Sequence, residues 1–122
     1  MVKVAKVEWT DESQQEADVT ISDGAYSVVC FSCPFSLKED DIFMDVLYCL
    51  DVENIQKSNE PQQLVIKKDD FYEYFLRGKL EDKENKIVRI GELCINISEA
   101  YIPGDIREGD MIEFTVSRLD IY

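Results

Sequence analysis

The sequence predicts a mostly β protein: a curled antiparallel sheet or small β-barrel, with OB-like closure among the options and at most one or two short helical turns. Three observations carry this expectation. Apolar residues alternate with a period of two through most of the chain, as strands with one buried face require. Turn-forming pairs interrupt the alternation at Asp23-Gly24, Pro103-Gly104 and Gly109-Asp110. Helix signals are confined to two short stretches. A chain of 122 residues is long enough for one sizeable core and short for two, so residues 1–122 read as one β domain.

Each element has its own justification. MVKVAKVEW, from Met1, alternates and is broken by lysines, which suits a first strand and not a signal peptide. Val19 and Ile21 face one way, and Ser22-Asp23-Gly24-Ala25 then reverses the chain. Ala25 to Cys33 is apolar on both faces and reads as a central strand covered on both sides. Ile42, Met44, Val46, Tyr48 and Leu50 form the next alternating set. Tyr72, Tyr74, Leu76 and Leu80, with Gly78 in the remaining slot, predict a strand over 71–82.

Val88 and Ile90 lead to Leu93, Ile95 and Ile97 with a slip of parity at Gly91, read as a β-bulge. Ile112, Phe114 and Val116 make the last strand, whose parity slips again before Leu119. Ser36-x-x-Glu39 has the form of a capping box for one helical turn, and Asp69-Asp70 could cap another. The closing IREGDMIEF, Ile106 to Phe114, resembles the turn into the last strand of oligonucleotide-binding-fold barrels, and the resemblance ends there.

CFSCPF, residues 30 to 35, places two cysteines three apart. On an extended strand such side chains point to opposite faces, and Pro34 holds Cys33 extended. A tetrahedral zinc site needs further Cys, His or carboxylate ligands, yet the chain has no His, and Cys49 and Cys94 stand alone. The expectation is buried thiols in a β core, with no metal and no cofactor. The lack of His also removes the usual neutral-pH general base and every Ser-His-Asp or Cys-His arrangement. Carboxylates at Asp40-Asp41, Asp51-x-Glu53 and Asp69-Asp70 follow no cation-loop or phosphate-loop spacing. The expectation is a protein without enzymatic activity.

Charge is the most informative feature. The chain holds 26 acids and 13 bases. Between Val7 and Gln56 there are twelve acids and one base, Lys38; the other 72 residues hold 14 acids and 12 bases. Such an asymmetric field steers basic partners in and repels nucleic acid. With no apolar run long enough to span a membrane, the sequence suggests a cytoplasmic acidic module that docks on a basic protein, best matched by an immunity or antitoxin-type protein neutralising a nuclease-like toxin. The acids expected to carry docking are Asp11, Glu12 and Glu16 after the first strand, Glu39, Asp40 and Asp41 before the fourth, and Asp45, Asp51 and Glu53 around the apolar run that follows. The alternative is an OB-like oligonucleotide-binding module, in which Tyr72, Tyr74 and Phe75 would stack bases beside Arg77 and Lys79.

Overall fold

Alternation becomes strands in the computed structural model, which describes residues 1–69 and 71–122. The strands are β1 (Lys3–Asp11), β2 (Glu16–Ser22), β3 (Ser27–Ser32), β4 (Leu47–Lys57), β5 (Leu64–Lys67), β6 (Tyr74–Asp82), β7 (Ile87–Ile90), β8 (Leu93–Asn96) and β9 (Met111–Ile121). Strands take up 55% of the chain and, among the described residues, helix is limited to one 3-10 turn at Glu12–Gln14, so the protein is mostly β.

Five strands close a barrel in the order β4-β8-β7-β6-β9 and back to β4. Its inward residues are those the period-two pattern selects: Leu76, Leu80, Val88, Ile90, Leu93, Ile95, Ile112, Phe114 and Val116 are all buried. Gly78 holds the remaining inward slot on β6, because a Cβ there would lie 2.7 Å from the Arg89 carbonyl oxygen and 2.6 Å from the Ile90 side chain. The connection after β8 turns back over the core through Ile97, Ile102 and Ile106, all buried.

β9 belongs to two structures at once. Its first half pairs with β6, from Tyr74↔Val116 to Lys79↔Met111, and its end pairs with β3, from Cys30↔Leu119 to Ser32↔Ile121. Through β3 it carries the antiparallel meander β1-β2-β3, here called the lobe. The β3–β9 and β4–β8 pairings are parallel, so the sheet is mixed where the sequence suggested antiparallel. Tyr74 stands at the fork between β3 and β6: it is buried, and its hydroxyl accepts the Val29 N–H at 2.8 Å.

Four local expectations are corrected. The set Ile42 to Leu50 has the wrong parity: Phe43, Leu47 and Cys49 are buried, whereas Ile42 is 50% and Met44 91% exposed. Both parities of that stretch are apolar, so pattern alone could not choose the inner face. Gly91 is no bulge but the first residue of a two-residue hairpin loop between Ile90 and Leu93, with the positive φ of 57° such a loop requires. No helix follows Ser36; the chain from 35 to 43 is an irregular segment with a turn at 39–40, held against β1 by backbone hydrogen bonds. Asp69 caps a turn, accepting the Phe71 and Glu73 amides, and the strand begins at Tyr74 rather than 71; Asp70 lies outside the described residues.

Candidate functional site

The lobe's acids are positioned by how its outer edge is sealed. β1 pairs with β2 on one side, and residues 39 to 43 run along the other. The Val4 N–H donates to the Asp41 carbonyl at 2.9 Å, Asp40 N–H to the Val4 carbonyl at 2.8 Å, and Phe43 N–H to the Val2 carbonyl at 2.9 Å. The Glu39 carboxylate takes the Val7 N–H at 3.1 Å. An open edge would be a template for foreign strands; here an irregular segment occupies it. The φ of 73° at Asp40 is the left-handed conformation that Asp tolerates better than most residues.

Several acids singled out in the sequence have local work. Asp11 caps the 3-10 turn through the Ser13 and Gln14 amides, Glu16 accepts the Thr10 hydroxyl, Asp41 accepts the Lys38 amide and Asp45 the Val46 amide. Glu12 and Asp40 are exposed with no such bond among the described residues. Asp11, Glu12, Glu16, Glu39, Asp40, Asp41 and Asp45 all belong to the lobe and its edge segment. Asp51 and Glu53 do not: they lie on β4, Glu53 opposite Thr115 of β9 and Asp51 between the Leu50–Arg118 and Val52–Val116 pairs, and the strand order separates β4 from β1 by three strands.

Ion pairing follows the same division. Lys57–Asp110, Arg77–Glu113, Arg89–Glu81 and Arg118–Asp120 pair barrel-side charges. Within the lobe, the one side-chain pair among the described residues is Lys6–Glu8.

The edge segment also builds an apolar groove. On the inner face, Trp9 opposes Ala17, Ala17 opposes Ser32, and Ser32 opposes Ile121, so one row crosses β1, β2, β3 and β9 at the mouth of the lobe. Phe35 covers that row, with its ring 6.3 Å from the Trp9 ring and its N–H on the Gln15 carbonyl. Beside Phe35 lies a groove of about 240 Å³ between Leu37, Met44, Ile121 and Tyr122; a second of about 240 Å³ lies between Val7, Trp9 and Glu39, and the two meet at Leu37. Met44 is 91% exposed, Tyr122 83%, Trp9 43% and Leu37 38%.

The family comparison covers all of this. The chain belongs to the family described as Uncharacterised conserved protein UCP019853, whose model matches residues 1–122. No curated protein and no solved structure matches it. The UCP019853 match takes in the barrel, the lobe and the groove alike.

The aromatic and basic groups of YEYFLRGKL are largely engaged inside the fold. Tyr72 donates to Asp18 at 2.6 Å and packs edge-on against Phe31, Tyr74 binds the Val29 amide, and Arg77 is paired with Glu113 at 3.0 Å where both are largely buried. Burial and the bond to Asp18 push the Tyr72 hydroxyl up to about 12. Arg118 grips Asp120 with two bonds, of 2.6 and 3.2 Å, and lies 4.5 Å over the Phe31 ring. The two Tyr72 contacts tie the residue to β2 and β3 of the lobe.

Of the two cysteines in CFSCPF, Cys30 is buried as expected and Cys33 is exposed, because the strand ends at Ser32 and Cys33 enters the edge segment. Burial, with the Asp120 carboxylate nearby, pushes the Cys30 and Cys49 thiols well up. Among the described residues no group of three or more Cys, Asp or Glu stands where it could hold a metal ion, and no helix is long and apolar enough to cross a membrane.

Seven of the nine acids share the lobe and its edge segment, and the groove has no counterpart among the residues singled out in the sequence. Trp9, Phe35, Leu37, Met44 and Tyr122 are scattered over the chain and meet only through the β1–β2 pairing and the path of the edge segment.

Proposed function

We propose that the chain is a non-enzymatic binding module whose lobe docks on a basic protein, an immunity or antitoxin-type role against a nuclease-like toxin, in the cytoplasm. The observation behind this reading is the concentration of carboxylates on one lobe whose one side-chain ion pair among the described residues is Lys6–Glu8, while four ion pairs lie on the barrel side. Uncompensated carboxylates on one side of a small protein repel one another. They also create the field that accelerates encounter with a cation-rich surface.

The test uses the basic product of a neighbouring gene as the partner. Glu12→Gln, Glu39→Gln and Asp45→Asn together remove three charges while keeping oxygen acceptors for the Val7 and Val46 amides. Association should slow several-fold at low salt and less at high salt. Glu84→Gln, Glu99→Gln and Asp105→Asn, exposed on the barrel, form the matched control and should leave the rate nearly unchanged. Equal slowing by both sets would reduce the effect to net charge and remove the lobe from the reading.

A further inference from the structure

We infer that the apolar groove at the mouth of the lobe seats the anchor of a cationic protein segment: an aliphatic or aromatic side chain flanked by lysine or arginine. The inference rests on the lobe being a dock for a basic protein, and it names where on the lobe that protein is held.

The groove has the anatomy of an anchoring site. Its floor is Phe35, Phe43 and Ile121, and its rim is Leu37, Met44 and Tyr122, the last two almost fully exposed. Large apolar side chains on a rim around a shallow apolar floor are what a buried anchor needs, since most binding energy is concentrated in a few desolvated central contacts. The Tyr122 ring is itself propped against Tyr48, with centroids 5.1 Å apart, and so presents a held face to an incoming group.

Charge selects the occupant. Asp45 lines one end of the groove and Glu39 the end beyond Leu37, with Lys38 the one base lining either part among the described residues. The Phe35–Gln15 hydrogen bond brings the 3-10 turn that carries Glu12 alongside. A second copy would bring an equally acidic lobe against this one, and nucleic acid would bring phosphates; both are repelled. A segment with positive charge on both sides of an apolar residue satisfies floor and rim together.

Trp9 makes the test direct, because it is the single tryptophan of the chain and stands in the groove. Three dye-labelled peptides without tryptophan are titrated by anisotropy and by Trp9 emission at about 20 mM and about 150 mM salt. One alternates lysine with leucine, one lysine with glutamine, and one glutamate with leucine. The lysine–leucine peptide is expected to bind at both salts and to shift Trp9 emission to the blue. The lysine–glutamine peptide is expected to bind only at the lower salt, and the glutamate–leucine peptide not at all.

Met44→Ser with Tyr122→Ser should weaken the lysine–leucine peptide by about tenfold or more at both salts, while circular dichroism, insensitive to two exposed side chains, stays that of the wild type. Lysine–leucine binding that leaves Trp9 emission unchanged and ignores this double substitution would overturn the groove as anchor while leaving the acidic dock standing. Failure of both cationic peptides to bind at the lower salt would overturn the dock as well. Equal binding of the glutamate–leucine peptide would overturn the choice of a cationic occupant.

Discussion

Around the barrel each strand has a neighbour on both sides, and several bases are paired with acids: Lys57 with Asp110, Arg77 with Glu113, Arg89 with Glu81. In the lobe, residues 1–46, ten acids face three bases, and the outer side of β1 is closed by an irregular segment. A closed ladder satisfies its amides whatever the side chains are. The lobe's closure depends on particular side chains, because carboxylates such as Glu39 and Asp41 complete it by taking backbone amides. The barrel thus serves as a frame and leaves the lobe free to carry charge and exposed apolar surface that would be a liability elsewhere.

The largest effect should come from the frame. Phe114 is fully buried on the strand both parts share, so Phe114→Ala is expected to destabilise the protein by about 3–5 kcal/mol. Because β9 runs through both parts, Trp9 fluorescence, reporting the lobe, and far-ultraviolet dichroism, reporting mainly the barrel, should trace one urea transition. A Trp9 transition at clearly lower urea would break the comparison at its root, by making the lobe a separate folding unit.

The next effect lies at the seam. Asp23 accepts the Ala25, Tyr26 and Glu92 amides at 2.8, 2.7 and 2.8 Å, tying the β2–β3 turn to the β7–β8 loop. Gly91 has no room for a Cβ beside that carboxylate and the Tyr26 ring. Burial opposes ionisation of Asp23, but these amide donors outweigh it and hold the carboxyl below its usual range. Asp23→Ala should destabilise by about 1–3 kcal/mol. A depressed folded pKa gives stability that is present above the ordinary carboxylate value and lost as pH falls through the folded one. The deficit of Asp23→Ala should therefore be complete above about pH 4 and shrink below it. A deficit independent of pH would mean that packing, not the anion, holds the seam.

A smaller difference should appear in amide exchange. The Val4 N–H, held by the edge segment, is expected to exchange faster than the Leu80 N–H, which bonds to the Asp110 carbonyl beside the barrel ladder. Glu39→Ala, which frees the Val7 amide, should widen that gap. The mildest probe is thiol labelling: Cys33 should react in the native protein, whereas Cys30 and Cys49, buried and held protonated, should react only on unfolding.

Legibility in the sequence varied with the number of apolar faces. β6 to β9 were readable because a polar face marks the apolar one: Leu76, Leu80, Val88, Ile90, Leu93, Ile95, Ile112, Phe114 and Val116 alternate with polar or half-exposed residues and all point inward. Residues 42–50 were not, since Ile42 and Met44 compete with Phe43, Leu47 and Cys49 on equal terms of hydrophobicity. β5, a four-residue strand paired with β6 alone, left too short a pattern to register. Among the acids, seven lie together in the lobe and its edge segment, whereas the chain carries Asp51 and Glu53 away on β4.

The sequence by itself determined a β protein, most of its strands and turns, and a strong negative bias in the N-terminal half, because periodicity, turn chemistry and charge are local properties of the chain. Tertiary structure alone decided which strands are neighbours, that β3 joins β9 and β8 joins β4 in parallel, and that 39–43 seals β1. These are choices between pairings of similar local quality, settled by which arrangement buries both halves of β9. The groove follows from that choice, since Trp9, Phe35, Met44 and Tyr122 become neighbours only when the edge segment lies along β1 and β9 ends beside β3.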